Sequence, residues 1–145
     1  FVNRLSYQID VEDSCRGYCV PKLTLVTFAE NACVHGLENK TAAGWIFVRC
    51  YCDEGVLCME VEDTGHGMSP DLVRDMQENM NNASMQLLKE NRRVGIMNAC
   101  LRLRMATGNQ ACFELESEKG SGTIITIKIP VDALHKKAWK QNENI

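Results

Sequence analysis

From Leu57 to Asp63 apolar and polar residues alternate, so that Leu57, Met59, Val61 and Asp63 fall on one face of an extended segment that breaks at Gly65-His66-Gly67. Side chains of a strand point alternately to its two faces. The first three residues define a core-facing side, and Asp63 must point the same way at the strand tip. A carboxylate aimed at an interior needs a donor partner, and the exocyclic amine of a purine is one such partner. The glycines that follow let backbone approach a ligand without a side-chain clash. The competing reading is that Asp63 only brackets its own turn, a common role of Asp-x-Gly in loops.

The rest of the chain divides into further elements. Leu5-Ser6-Tyr7-Gln8-Ile9-Asp10-Val11 alternates like a half-buried strand, and Asp13 to Tyr18 reads as a polar loop. Pro21 precedes a helical run from about Leu23 to His35 that Gly36 stops. Trp45–Cys52 and Val56–Glu62 read as strands joined by Asp53-Glu54-Gly55, a hairpin signal. Ser69 caps a helix that begins at Pro70. Glu78 to Arg93, rich in Asn, Met and charge, shows no period and reads as a mobile loop with some helix.

Val94 to Ala106 reads as a helix ending near Gly108, apolar almost all round and therefore largely buried. Cys112–Glu118 and Thr123–Ile129 make a second hairpin around Gly120 and Gly122. After Pro130 the chain turns polar, and His135 to Ile145 reads as a solvated helix end or tail. The order β-α-β-β-α-(loop)-α-β-β predicts an α+β fold, a two-layer α/β sandwich with a largely antiparallel sheet and helices on one face. Residues 1–131 form the expected domain and 132–145 the expected polar tail.

The length of 145 residues suits one domain with a real core. A net charge of −3 argues against general nucleic-acid binding. No apolar run nears the roughly 20 residues of a membrane span, and no signal peptide is visible. The start on Phe1 instead of Met suggests a piece of a larger protein, whose membrane attachment would lie elsewhere. Eight cysteines invite a metal or disulfide reading. Cys15 and Cys19 are four apart and Cys50 and Cys52 form a C-x-C pair, not the two close pairs usual for zinc. The simpler reading is reduced thiols used as small hydrophobes.

Other polar residues converge on the same place. Along the last strand Thr123 shares a face with Ile125, Ile127 and Ile129, so its hydroxyl points inward like Asp63. On the Leu23–His35 helix, Leu25, Phe28, Ala29 and Ala32 make the buried stripe, with Asn31 on one border and Glu30 near the other. A border Asn can bind hydrated Mg²⁺ through its carbonyl or can bond only its own backbone. Gly95 opens a helix whose unpaired N–H groups favour phosphate oxygens. Lys89, Arg92 and Arg93 precede that helix and either reach a triphosphate or sit in a solvated loop.

With these motifs the chain resembles the catalytic ATP-binding domain of sensor histidine kinases, in the GHKL ATPase superfamily, from roughly Leu5 to Val131. Glu30-Asn31-Ala32-Cys33-Val34-His35-Gly36 is similar to the family's asparagine box and Asp63-Thr64-Gly65-His66-Gly67 to its first glycine box. Arg93-Val94-Gly95-Ile96-Met97-Asn98 and Gly120-Ser121-Gly122-Thr123 are similar to the later boxes. The flanks resemble the branch typified by the YesM and LytS kinases.

The resemblance implies a Bergerat-type fold binding ATP and Mg²⁺. Glu30 and Asn31 would be catalytic, with Asn31 holding the metal, and Asp63 would read the adenine amine. Gly65, Gly67 and Gly95 would shape the phosphate loop, and Thr123 would support adenine through water. His35, Met68 and Arg93 join the nucleotide-binding set by their places in the boxes.

The implied partners are a histidine-bearing dimerisation domain of the same kinase, whose histidine box has no match here, and a downstream response regulator. The implied setting is the cytoplasmic part of a membrane-anchored bacterial sensor. Two departures stand out. Arg93 occupies the usual first glycine of the second glycine box, and Thr27 stands where water-activating ATPases carry an acid. An anti-sigma-factor-type serine kinase and a degenerate nucleotide-binding module are the alternatives.

Overall fold

The computed structural model describes residues 5–21, 24–33, 43–86 and 94–136. Along the chain lie β1 (Leu5–Val11), β2 (Tyr18–Cys19), α1 (Thr24–Asn31), β3 (Gly44–Asp53), β4 (Val56–Asp63), α2 (Pro70–Asn81), α3 (Val94–Ala106), β5 (Cys112–Glu118), β6 (Gly122–Pro130) and β7 (His135–Lys136). The main sheet has five strands in the order β1-β3-β4-β6-β5. The β1–β3 pair is parallel and the other pairs antiparallel. This is the α+β architecture expected from the pattern.

Turn chemistry sets the registers. Glu54 and Gly55 both take left-handed backbone (φ 48° and 78°), the twist that a two-residue hairpin turn requires. Asp53 therefore pairs with Val56 and Ile46 with Asp63. At the other hairpin Gly120 has φ 86° and the Ser121 amide bonds the Glu118 carbonyl at 2.9 Å. That turn brings Glu118 opposite Gly122.

The core lies between the sheet and its helices. Leu57, Met59 and Val61 are buried as their alternation demands, against Ile125, Ile127 and Ile129 of β6. Phe28 of α1 and Phe113 of β5 are fully buried with stacked rings 6.4 Å apart. Burying each contributes up to about 3 kcal/mol. The opposite face carries polar pairs: the Arg49 guanidinium bonds Glu60 at 2.8 Å and Glu62 at 2.6 Å, and the Tyr51 hydroxyl donates to Glu60 at 2.9 Å.

Some local expectations are sharpened or changed. Helix α2 runs through Glu78 to Asn81, at the start of the stretch that reads as a mobile loop with some helix. Met76 and Met80, four residues apart, bury together, and the side-chain amides of Gln77 and Asn81 bond the outer edge of β5. Leu115 N–H donates to Gln77 Oε1 at 2.6 Å and Phe113 N–H to Asn81 Oδ1 at 2.9 Å. The Phe113 carbonyl accepts from Asn81 Nδ2 at 2.8 Å and also from Gln77 Nε2.

Helix α3 buries a stripe of Ile96, Met97, Cys100 and Leu103 but exposes Asn98, Arg102 and Met105, so it is amphipathic and not buried all round. The polar side chains of Asn98 and Arg102 keep that face in water, and the apolar Met105 is exposed beside them. Finally, His135–Lys136 is a strand and not a helix end, because it finds backbone partners in Tyr18–Cys19. Residues 137–145 lie outside the described set.

Candidate functional site

The end of β4 carries the first element. Asp63 is 6% exposed and its Oδ1 accepts from Gly65 N–H at 2.8 Å. The carboxylate thus does bracket its turn. It is also held on the inner face, because Asp63 sits opposite Thr123 of β6 and Ile46 of β3.

The loop after Asp63 is fixed at each step. Thr64 N–H bonds the Trp45 carbonyl at 3.1 Å, and Trp45 N–H returns a bond to Thr64 Oγ1 at 2.9 Å. The His66 carbonyl accepts from Gly120 N–H at 2.6 Å. Met68, 7% exposed, donates its N–H to Ser117 Oγ at 2.9 Å. Gly67 has φ 69°, and a Cβ there would lie 2.0 Å from the Glu118 carbonyl oxygen. Gly122 is as tight, with a Cβ placed 2.0 Å from the Asp63 carbonyl oxygen. Two glycines therefore let the loop and the β5–β6 turn lie backbone on backbone.

Ser117 is a functional candidate that sequence reasoning missed. Its Oγ bonds the Gly122 carbonyl at 2.8 Å and shares a bond of 2.9 Å with Thr123 Oγ1. Parity was the available signal, since Phe113, Leu115 and Ser117 share the inner face of β5. Thr123 lies half-buried, bound into this hydroxyl pair.

Helix α1 ends at this same sheet end. Asn31 is its last residue and half-buried, Glu30 is exposed, and the chain continues through Ala32 and Cys33. Burial pushes the Cys33 thiol above its ordinary value, and the negative charges of Asp63 and Glu30 add to the rise. The end of α1 therefore lies within the field of the Asp63 carboxylate. Gly95, in the first turn of α3, packs beside Thr27 one turn before Asn31: a Cβ on Gly95 would meet Thr27 Cγ2 at 3.8 Å. His35, Lys89, Arg92 and Arg93 lie outside the described residues.

A cleft of about 280 Å³ opens beside Asp63, Ser117 and Thr123. Glu62, Glu116 and Glu118 also line it. Glu62, Ile124 and Glu116 pair across the sheet on the face opposite to the Asp63 side chain, so this cleft belongs to the tip of the sheet and its outer face. At a helix N-terminus such as that of α3, backbone N–H groups and the helix dipole favour anions. Among the described residues no three His, Cys, Asp or Glu side chains converge on a point that could hold a metal ion. A cation here would rest on Asn31 and on the ligand's own oxygens.

The model of the family described as histidine kinase-, DNA gyrase B-, and HSP90-like ATPase matches residues 21–133. The sensor histidine kinase YesM of Bacillus subtilis is 30% identical over 130 residues, covering 90% of this chain and 20% of that protein. The sensor protein LytS of Bacillus cereus is 26% identical over 130 residues, covering 90% of this chain and 21% of that protein. The chain thus spans about a fifth of the length of these relatives.

Among solved structures, the histidine kinase domain of the Erythrobacter litoralis EL346 blue-light activated kinase superposes with a TM-score of 0.59 at 19% identity, over 89% of this chain and 52% of that one. Full-length ShkA in complex with AMPPNP gives 0.58 at 21% identity, over 93% and 27%. These two likenesses establish the shared fold.

Proposed function

The chain belongs to the histidine kinase-, DNA gyrase B-, and HSP90-like ATPase family, and from that membership we propose that it is the ATP-binding catalytic domain of a two-component sensor histidine kinase. It would bind Mg-ATP and pass the γ-phosphoryl group to a histidine on a dimerisation domain of the same kinase, from which a response regulator would take it. The observation that carries the reading is the buried Asp63 carboxylate, pinned by Gly65 N–H at the inner tip of β4 and facing Thr123 across the strand pair.

The residues present suit the ligand. Asp63 places a carboxylate, which only accepts, at an apolar layer's edge with Oδ1 held by Gly65 N–H, which matches an amine donor on a purine. Ser117 and Thr123 place hydroxyls beside it for polar contact, direct or through water. The N-terminal amides of α3, bare at Gly95, suit phosphate oxygens. Asn31 would hold Mg²⁺ through its carbonyl, and Glu30 beside it would orient the acceptor. Met68, Gly65 and Gly67 would shape the wall between base and phosphates. His35 and Arg93, by their places in the motifs, would complete the phosphate side.

ATP supplies a phosphoryl group whose transfer depends on positioning and charge neutralisation. Thr27 has no carboxylate with which to activate water, which supports transfer to a protein side chain over hydrolysis. The relatives matched are sensor kinases, which supports histidine as the acceptor over serine. Those relatives also motivate the proposed setting, a cytoplasmic domain of a membrane-anchored sensor. We take residues 1–131 as the catalytic unit and 132–145 as its C-terminal extension.

Calorimetric titration with Mg-ATP tests the reading against Asp63→Asn. Asn has one acceptor oxygen where the carboxylate has two, so an amide donor would face the purine amine. We expect a loss of about 10–100-fold in affinity with the fold unchanged. Equal affinity in both proteins would overturn the assignment of Asp63. Adding the dimerisation domain of such a kinase in trans should then yield acid-labile phosphohistidine.

A further inference from the structure

We propose that Cys15 and Cys52 form a reversible disulfide site, closed by a peroxide or a small disulfide oxidant and reopened by thiols, that staples the turn before α1 to the end of β3. Their sulfurs lie 3.9 Å apart. A bond of about 2.05 Å therefore needs about 2 Å of closure, within reach of side-chain rotation.

The backbone around the pair is already fixed. Glu12 N–H bonds the Cys50 carbonyl at 3.0 Å, and Glu12 Oε1 accepts from both Cys52 N–H (3.3 Å) and Ser14 Oγ (3.0 Å). Cys52 Sγ donates to the Ser14 carbonyl at 3.8 Å, and Cys15 ends the 3-10 turn Asp13–Cys15. Neither thiol can drift far from the other without breaking this net.

The two sulfurs differ in access. Cys52 is half-buried and Cys15 is 8% exposed. Cys52 is thus the first to react: its thiolate attacks a peroxide oxygen, the O–O bond breaks, and the sulfur becomes a sulfenic acid. The Cys15 sulfur then attacks that sulfur, the S–S bond forms, and the hydroxyl leaves as water with the Cys15 proton. Two thiols lose two electrons and two protons, and one peroxide becomes two waters.

Burial pushes the Cys15 thiol up to about 12, with the hydrogen bond and charge of Cys52 adding to the rise.

The staple would join residues separated by 37 positions and enclose α1 in the resulting ring. It sits at the far end of β3 from Ile46, the partner of Asp63, roughly 20 Å away along the strand. The site is independent of the nucleotide reading, and its test reads sulfur chemistry alone.

The test uses the full chain with the exposed Cys19 and Cys112 changed to Ser, so that chains do not cross-link. The protein is treated with hydrogen peroxide, its remaining thiols are blocked, and its peptides are mapped by mass spectrometry. A Cys15–Cys52 linked peptide is expected, with a Tm rise of about 5–10 °C. Dithiothreitol should reverse both, and Cys52→Ser should abolish both while melting near the reduced protein. Cys52 accumulating as sulfinic acid while Cys15 remains open to alkylation would overturn the proposal, as would a Tm rise that survives in Cys52→Ser.

Discussion

Gly67 and Glu118 lie so close that a methyl group on the glycine would sit 2.0 Å from the Glu118 carbonyl oxygen. Backbone cannot yield as a side-chain tip can, so Gly67→Ala must move the loop or the β5–β6 turn. The glycine also has φ 69°. Strain and overpacking together predict a loss of about 2–4 kcal/mol. Gly55→Ala is the control, with φ 78° and no atom within 4 Å of the added carbon. Its cost should be about 1–2 kcal/mol from backbone strain alone. Urea denaturation of the two variants checks the difference.

Gly95 makes the opposite forecast. It sits in helical backbone, and its added methyl would meet Thr27 Cγ2 at an ordinary 3.8 Å. Gly95→Ala should therefore raise stability by about 0.5–1 kcal/mol while weakening Mg-ATP about tenfold or more by crowding the phosphate approach. Thermal melts and calorimetry separate the two effects. A more stable variant with unchanged affinity would make Gly95 a packing residue only.

Ser117 ties the glycine loop to the hairpin. Ser117→Ala leaves Met68 N–H without its 2.9 Å acceptor. A loss of about 1–2 kcal/mol is expected, with faster hydrogen exchange at the Met68 amide. Ser117→Thr retains a hydroxyl and should recover most of that protection.

Acid should act through Glu60. Burial pushes its carboxyl up, but the bonds from Arg49 and Tyr51 outweigh this and hold it below the usual carboxylate range. A folded-state value below the unfolded one, about 4.3, contributes stability above that pH, and the contribution disappears as pH falls through the folded value. The Arg49 side chain is 35% exposed, so solvent screens the pair and Glu60→Gln should cost only about 1 kcal/mol at pH 7. The gap between variant and parent should close in stability curves taken below about pH 4.

Strand parity made much of the site legible. The alternation of Leu57, Met59, Val61 and Asp63 has a period of two, and the structure buries all four on one face. The same period of two puts Thr123 on that face and extends to Ser117, its partner on β5. Gln77 and Asn81 were hidden: side-chain amides replacing a missing strand leave no periodic trace, and the spacing of Met76 and Met80 was the lone hint of continued helix. The pairing of Tyr18–Cys19 with His135–Lys136 is two residues long, too short for any pattern to reveal. The contact of Cys15 with Cys52 depends on a turn folding back on a strand, which spacing along the chain does not encode.

Gln77 and Asn81 are one helical turn apart, about 6 Å along their axis, and Phe113 and Leu115 are about 7 Å apart along theirs. The two repeats are nearly commensurate, so helix and strand mesh like rack and pinion. Neither element can slide without stripping both teeth at once. The glycine stretch from Asp63 to Ser69 hangs between β4 and this meshed helix, and its span is therefore gauged mechanically before any ligand arrives.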